Sequence, residues 1–308
     1  MTDLIRVTPS GLSVIYTPHY LAEDMGFFAA QGLKVDSSVY AGPGSSWLSD
    51  NLTSGKADVA MGGIWIPLAY REIVAELPIF AMINARNPQI ILSREPVENF
   101  TWEHLYGKRV VLPMESTSQW MFLRGAMLEV GAGIDRIRFI RDLHVETTTT
   151  MWRAGFGDFY LTTPPLSHKL VDEGAFVATT IPECCGPVPW SVYYTTPQFL
   201  ARPDNAAGRY AAAVEQSLRW VLAQPVEEVA KAVGPRFPDT PPELITRSLR
   251  GIIDAGTWQP SVAIPRGSFD RYQGIIAEFG LINEPYAFDM VVAAAPAEYA
   301  ASVSRGVS

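Results

Sequence analysis

The stretch SGKADVAMGG (residues 54–63) returns about a hundred positions later as RAGFGDFYLT (residues 153–162), and this repeat decides the fold. Each copy contains a glycine, two spacer residues and an aspartate, followed by a short apolar run. A glycine ends a helix readily in the left-handed conformation, and an aspartate favours the turn that leads into a strand. We therefore predict a helix-to-strand junction in each copy, and two similar α/β units rather than two active sites.

The segments around each copy alternate between strand and helix patterns. Before the first copy come a short apolar run (4–7), a helical stretch (18–32) closed by a glycine, and a strand (33–40). A second alternation begins after residues 96–107 and contains the second copy. The order strand, helix, strand, helix, strand therefore occurs twice.

The last third of the chain is predicted to add one strand and several helices. SVYYTT (191–196) has the composition of a strand, and RYAAAVEQSLRWVLAQ (209–224) carries the apolar stripe of a helix. SFDRYQGIIAEFGLI (268–282) is the last clear helix. We expect the small-residue tail AAAPAEYAASVSRGVS to fray.

Composition and charge exclude two classes of partner. The 308 residues carry a net charge of −8, with 48% apolar and 18% charged residues. An acidic chain without a run of Lys or Arg is a poor binder of the phosphate backbone, so we expect no nucleic acid. No segment reaches the roughly eighteen apolar residues of a membrane span, so we expect no membrane insertion.

The N-terminal sequence MTDLIRVTPSG lacks the basic, apolar and small-residue regions of a signal peptide. As written, the chain is expected to be cytoplasmic. If Met1 is not the natural start, a periplasmic or cell-surface location is expected instead.

The two cysteines, Cys184 and Cys185, are neighbours in sequence. Adjacent cysteines do not easily reach disulfide geometry, and a metal site needs more ligands at suitable spacing. We therefore predict no metal and no cofactor, and interpret the thiols first as small apolar side chains.

Five phrases of the chain together resemble one family. They are TPHYLAEDMGFFAAQGLKV (17–35), SGKADVAMGG (54–63), LYGKRVVLP (105–113), the stretch from TTPQFLARPDN to VEEVAKAV (195–233) and RYQGIIAEFGLINEPY (271–286). In this order they resemble the alkanesulfonate-, nitrate- and taurine-binding proteins and the fungal thiamine-pyrimidine synthases. The resemblance covers nearly the whole chain.

The resemblance implies an α/β protein of the type II periplasmic-binding-protein fold, with two Rossmann-like lobes joined by two crossover strands. Lobe one would comprise residues 1–93 plus 195–308, and lobe two residues 96–190. The crossings would lie near 92–96 and 190–196, and a small-molecule ligand would occupy the cleft between the lobes.

Two departures from related enzymes bear on function. The thiamine-pyrimidine synthases have a cofactor-binding lysine and a histidine just after the first Gly-x-x-Asp phrase, where this chain has Gly62 and Ile66. An imine-forming cofactor needs that amine, so the resemblance argues against this route of pyrimidine synthesis. The aryl-sulfinate desulfinases, which are similar in fold, use a cysteine in the loop after strand one, and here that loop has serines.

Candidate ligand contacts come from the loops at the carboxyl ends of the predicted strands, where open α/β sheets bind ligands. Serines that precede helices could hold an anion, tryptophans could stack on an aromatic ligand, and Arg86 could pair with a carboxylate or sulfonate. Capping, core packing and solvation are the competing structural explanations. The predicted ligand-binding residues are Ser10, Tyr16, Ser45, Ser46, Gly63, Trp65, Arg86, Glu115, Ser116, Thr117, Ser118, Thr162, Thr163 and Trp190.

Two functional hypotheses follow. The first is a solute-binding protein of the ABC-transporter type for a small organic ligand, with aromatic and anionic compounds (sulfonate, carboxylate or pyrimidine-like) among the candidates and an ABC permease as partner if exported. The alternative is a cytoplasmic enzyme on the same scaffold, lyase- or decarboxylase-like or related to thiamine precursors. Its catalytic residues would be His19, Glu115, Cys184 and Cys185. The sequence leaves this choice open.

Overall fold

The fold is built on ten strands in the part of the chain that the computed structural model describes, residues 4–38 and 47–306, with the backbone alone at Trp47. The strands are β1 (Leu4–Pro9), β2 (Lys34–Asp36), β3 (Val59–Gly63), β4 (Ile79–Asn84), β5 (Ile90–Ser93), β6 (Arg109–Val111), β7 (Arg138–Ile140), β8 (Phe159–Thr162), β9 (Phe176–Thr180) and β10 (Ser191–Thr195). They form two five-stranded sheets, in the orders β2-β1-β3-β10-β4 and β7-β6-β8-β5-β9. In the first sheet β1 is parallel to β2 and β3, and in the second sheet β6 is parallel to β7 and β8. β10 and β5 run antiparallel to both of their neighbours. The predicted α/β class with two similar units is confirmed.

Helices cover both sheets. They are α1 (Thr17–Asp24), α2 (Phe27–Ala30), α3 (Trp47–Thr53), α4 (Trp65–Tyr70), α5 (Thr117–Glu129), α6 (Val145–Arg153), α7 (Leu166–Asp172), α8 (Ile181–Cys185), α9 (Pro197–Leu200), α10 (Ala206–Ala223), α11 (Val226–Val233), α12 (Pro242–Asp254), α13 (Arg266–Glu278), α14 (Phe288–Val291) and α15 (Ala295–Gly306). One buried apolar cluster extends from α3 on the first sheet to α5 and α13 beside the second. Two further clusters hold α1, α10 and α12 against the first sheet, and α6 and α7 against the second.

Both copies of the repeated phrase are helix-to-strand junctions, as predicted. Gly55 follows α3 with φ +70° and Gly155 follows α6 with φ +90°. These left-handed values strain any residue with a Cβ, so glycine is the natural end of each helix.

The aspartates of the two copies make the same contacts. The Asp58 N–H donates to the Arg6 carbonyl (2.8 Å), and the Asp58 carboxylate accepts the Arg6 N–H (2.8 Å). In the second sheet, the Asp158 N–H donates to the Arg109 carbonyl (2.9 Å), and its carboxylate accepts the Arg109 N–H (2.7 Å). Each aspartate therefore aligns its strand with the parallel strand beside it, and neither has a ligand-binding geometry of its own.

The chain passes between the sheets earlier than expected. Residues 90–93 were assigned to the first lobe, but β5 is hydrogen-bonded into the second sheet between β8 and β9. The first crossing segment is therefore 85–89 rather than 92–96, and the second is 181–190. A strand as short as IILS carries no information about which sheet it joins, and the second strand–helix alternation becomes visible in the sequence only after residue 96. The lobe boundaries themselves stay a prediction.

Two helix predictions were wrong in detail. The helical stretch 18–32 is two helices, because Gly26 has φ +80° between α1 and α2. The tail does not fray over its described part, since α15 packs on α10 with Ala300 fully buried. The Ser304 hydroxyl also donates to Glu215 Oε1 on α10 (2.8 Å), so tertiary contacts hold a sequence that looks weakly apolar.

Candidate functional site

Four strand ends of the first sheet meet at one edge. β1 leads into Ser10, β3 ends at Gly63, β4 ends at Asn84, and β10 begins at Ser191. Ser191 lies opposite both Gly63 and Asn84 in the sheet register. We call this group the sheet-edge site. It lies where open α/β sheets bind their ligands.

A chain of hydroxyl groups closes one side of the sheet-edge site. The Tyr16 and Ser10 hydroxyls are 2.7 Å apart, and Tyr16 also hydrogen-bonds the Ser191 side chain. Burial raises the pKa of Tyr16 above its usual value, and the hydrogen bonds to the two serines only partly oppose this. The phenol is therefore neutral at neutral pH and offers an O–H rather than a charge. Ser10 and Tyr16 are both residues that the sequence singled out.

Asn84 is the unusual residue of the sheet-edge site. Its side chain is fully buried, yet neither Nδ2 nor Oδ1 has a hydrogen-bond partner among the described residues. Its backbone is fixed, because the Asn84 carbonyl accepts the Trp190 N–H at 2.7 Å. Buried amides are almost always paired, so an unpaired one calls for a partner such as water, an ion or a ligand. Sequence reasoning missed it, although the polar residue ending the apolar run IFAMIN was a usable signal.

The first crossing segment carries a second buried polar group. Asn87 Oδ1 accepts the Gln89 N–H (3.0 Å), and Gln89 Nε2 donates to the Ser116 hydroxyl (3.4 Å) at the start of α5. All three side chains are buried. The predicted residue Ser116 is thus joined to the hinge segment, and Gln89 is a partner that the sequence did not indicate.

The remaining candidates around the start of α5 already have hydrogen-bond partners. His144 Nδ1 lies 2.9 Å from Glu115 Oε1 at the surface. Burial alone would raise the pKa of Glu115, but hydrogen bonds from His144 and from backbone N–H groups lower it overall. The Thr117 hydroxyl donates to the Met114 carbonyl (3.2 Å), and the Ser118 hydroxyl donates to the neighbouring Gln119 side chain (3.0 Å). In this structure each of these three side chains therefore has a hydrogen-bond partner within the protein.

The other predicted positions lie on the second sheet, in the two crossing segments or outside the described residues. Thr162 is buried at the end of β8, opposite Ile90, and Thr163 follows it half-buried. Arg86 Nη1 donates to the Pro182 carbonyl (2.9 Å), so it ties the two crossing segments together. Trp190 is buried with its ring 6.0 Å from that of Phe122, whereas Ser45 and Ser46 lie outside the described residues.

Trp65 stands directly over a strand end. A Cβ at Gly63 would lie 2.8 Å from Trp65 Cδ1, so glycine is required for this close approach. The half-buried indole therefore borders the sheet-edge site, as its position in the sequence predicts.

The positions aligned with the lysine and histidine of the thiamine-pyrimidine synthases are closely packed here. A Cβ at Gly62 would lie 2.9 Å from Leu48 Cδ1 and 3.3 Å from Ser10 Cβ, and Ile66 is 2% exposed. A side chain at position 62 would have to move the Leu48 side chain of α3 and approach Ser10 closely.

The catalytic candidates lie in packed surroundings. His19 is fully buried, with Nε2 2.7 Å from the Ser37 hydroxyl and Nδ1 3.1 Å from the Tyr193 hydroxyl. Burial, with a smaller contribution from the charge of Arg236, lowers the pKa of His19 to about 3.

The Cys184 and Cys185 sulfur atoms are 3.6 Å apart, and both cysteines are free thiols. The hydrogen bond with Cys184, and secondly burial, raise the pKa of Cys185 well above its usual value. Cys185 is therefore a thiol rather than a thiolate, and the His19 ring is neutral.

Comparison with known proteins identifies the family. The fold is a two-sheet α/β scaffold in which several strand ends meet at the sheet-edge site. The family described as NMT1/THI5 like matches residues 14–228, and the chain belongs to it. A Bacillus subtilis (strain 168) protein named "Putative binding protein YtlA" is 22% identical over 94% of this chain and 87% of its own length.

Solved structures share the fold. The ligand-binding component of an ABC-type import system from Staphylococcus aureus, with zinc bound, is 11% identical with a TM-score of 0.74, covering 97% of this chain and 99% of its own. The alkanesulfonate-binding protein SsuA from Xanthomonas axonopodis pv. citri, bound to MOPS, is 16% identical with a TM-score of 0.70, covering 96% and 99%. The predicted periplasmic-binding-protein-like fold is confirmed. No helix among residues 4–38 and 47–306 has the length and apolar character needed to cross a membrane.

Proposed function

We propose that this protein is the solute-binding component of an ABC import system and binds one small organic molecule at the sheet-edge site. The observation that carries the proposal is the buried, unpaired amide of Asn84, a residue that lies opposite Ser191 at the strand ends from which the Ser10 and Tyr16 hydroxyls also come. Family membership and the ABC-type import component among the structural relatives support it. Closure of two lobes about residues 85–89 and 181–190 would enclose the ligand.

The chemistry of the site indicates the kind of ligand. Its described polar groups are neutral hydroxyls and amides, which can donate to the oxygens of a sulfonate or carboxylate without a paired cation. The Asn84 amide also presents a donor and an acceptor side by side, which suits a carboxamide or a pyrimidine edge. Trp65 offers an aromatic face at the border of the site. We therefore propose sulfonates, aromatic carboxylates and pyrimidines as the classes to test.

Thermal-shift screening followed by calorimetry tests the proposal. A true ligand raises the melting temperature with the logarithm of its free concentration once that exceeds Kd, and native mass spectrometry should find it unchanged. Asn84→Ala and Trp65→Ala should each weaken the binding of that ligand. Ser304→Ala, on the distant C-terminal helix, is the matched control that should leave affinity unaltered. If neither site variant affects affinity, the ligand binds elsewhere.

Catalysis is tested by the same samples. The catalytic hypothesis requires His19, Glu115, Cys184 or Cys185 to exchange protons or attack a substrate. In this structure the His19 nitrogens are engaged inside the core, and Cys185 is a buried thiol. Conversion of a bound ligand, seen as a mass change over time, would replace the binding-only function by an enzymatic one.

The proposal also specifies a location and a partner. A solute-binding protein meets its permease outside the membrane, so we propose a periplasmic or cell-surface location and an ABC permease as partner. Fractionation of cells that carry the tagged chromosomal gene tests the location. Recovery only in the cytoplasm would contradict the transport role while leaving ligand binding at the sheet-edge site open to direct measurement.

A further inference from the structure

A cavity of about 190 Å³ lies between α7 beside the second sheet and the C-terminal end of α12 beside the first. Prolines from three different segments line it: Pro88 and Pro182 from the two crossing segments, and Pro164 after β8. Gly251 and Ala255 form the wall on the α12 side. None of the polar residues of the sheet-edge site lines this cavity, so it is a separate feature.

The two helices that bound the cavity are tied together at its outer side. Arg247 of α12 makes a two-pronged ion pair with Asp172 of α7, at 2.7 Å and 2.6 Å. Its guanidinium also donates to the His168 carbonyl at 2.9 Å. The Arg247 contacts therefore join the two helices that bound the cavity.

Two polar atoms in the cavity wall lack partners. His168 Nε2 and Thr257 Oγ1 are both buried, and neither has a hydrogen-bond partner among the described residues. Burial and, secondarily, the charge of Arg247 lower the pKa of His168, so its ring is neutral at neutral pH. The wall thus combines apolar rings with two unpaired neutral polar atoms, one from each side, and no ionised side chain.

We propose that this cavity is a second small-molecule site, which takes a neutral aromatic ring carrying one hydroxyl or amine. Its volume exceeds the roughly 150 Å³ of an engineered apolar cavity that holds benzene. Proline rings pack well on aromatic faces, as they do when proline-rich peptides dock on aromatic grooves. A single polar substituent would satisfy Thr257 or His168, whereas an ionised ligand would lose its hydration without a partner.

A ligand in this cavity would contact both α7 and α12, since residues of both helices line it. The inference does not depend on which molecule occupies the sheet-edge site.

Phenol is the probe for this site, with toluene and benzoate as comparators. Calorimetry on the full chain should show saturable binding of phenol, about tenfold weaker binding of toluene, and none of benzoate, since one hydrogen bond corresponds to about a tenfold change in affinity. Absence of saturable phenol binding would overturn the proposal.

Variants locate the bound phenol. Ala255→Phe should abolish binding by filling the cavity, and Thr257→Val should weaken it about tenfold while Thr257→Ser keeps it. Asn84→Leu, at the sheet-edge site, should have no effect on phenol. Phenol affinity that is unchanged in Ala255→Phe and Thr257→Val, or lost in Asn84→Leu, would show that the ring binds elsewhere and overturn the assignment. Thr257→Val is nearly isosteric, so it remains informative if Ala255→Phe does not fold.

Discussion

Replacing Asn84 by leucine should stabilise the ligand-free protein while it destroys ligand binding. The buried amide makes no hydrogen bond among the described residues, so the ligand-free fold bears the cost of dehydrating it. That cost is about 1–3 kcal/mol for a buried unpaired polar group. Leucine has a similar volume and needs no partner, so Asn84→Leu should raise the free energy of unfolding by about this amount.

The size of the thermal effect follows from the length of the chain. An unfolding entropy of about 2.1 cal/mol/K per residue corresponds to roughly 0.65 kcal/mol/K for this protein. The gain should therefore raise the melting temperature of Asn84→Leu by about 2–5 °C. The same variant should show no further rise with the ligand that stabilises the unsubstituted protein.

Asn87→Leu is the matched control. Asn87 is as buried as Asn84, but its Oδ1 accepts the Gln89 N–H at 3.0 Å. Removing it leaves that N–H unpaired, so Asn87→Leu should lower stability by about 1–3 kcal/mol. Urea unfolding of the three proteins without ligand measures the difference. A destabilised Asn84→Leu would show that the amide already has a partner, such as a bound water, and the argument for a waiting ligand would fail.

Three further predictions concern packing, protonation and the C-terminal helix. Gly125→Ala should cost about 1–3 kcal/mol in urea unfolding, because its Cβ would lie 2.4 Å from Ile275 Cγ2, and Ile275→Ala should then cost less in the Gly125→Ala background than alone. The pKa of His19 falls from 6.5 to about 3 on folding, so the unfolded chain takes up the proton first and stability is lost as pH falls from 6.5 towards 3. The slope is on the order of 1.4 kcal/mol per pH unit, and His19→Gln should be flatter by that amount in pH-dependent unfolding. Glu215→Ala removes the acceptor of the Ser304 hydroxyl and should lower the free energy of unfolding by about 1–3 kcal/mol. In limited proteolysis, cleavage within α15 should then appear before the rest of the chain is cut. Cleavage at the same rate throughout the chain would contradict this.

The fold could be predicted from the sequence because its signals are local and occur twice. Gly55 and Gly155 each end a helix in the left-handed conformation that glycine favours, which is a local signal. The strands after Asp58 and Asp158 are short and mostly apolar. The crossing at 85–89 could not be predicted, because sheet membership of Ile90–Ser93 depends on pairing with strands some seventy to ninety residues later.

The candidate site was predictable in outline and not in its centre. Strand-end logic indicated Ser10, Tyr16 and Trp65, which the structure places around the sheet-edge site. It missed Asn84 because the polar residue that ends IFAMIN does not show, in sequence, that its side chain is buried without a partner. It also selected His19 for its chemistry, although no local pattern shows that a histidine is enclosed by the core. Whether the selected residues contact ligand remains a prediction.

The position of β10 between β3 and β4 has a consequence for synthesis on the ribosome. The 111 residues that follow Asn84, up to Thr195, take roughly 6–22 s to translate at about 5–20 residues per second. During that interval β3 and β4 have emerged but lack the strand that joins them, whereas β5 to β9 are consecutive in sequence and can complete the second sheet. The sheet that begins later is therefore finished first. The nascent chain presents two unpaired strand edges for that time, and such edges are where chaperone capture or misassembly is expected.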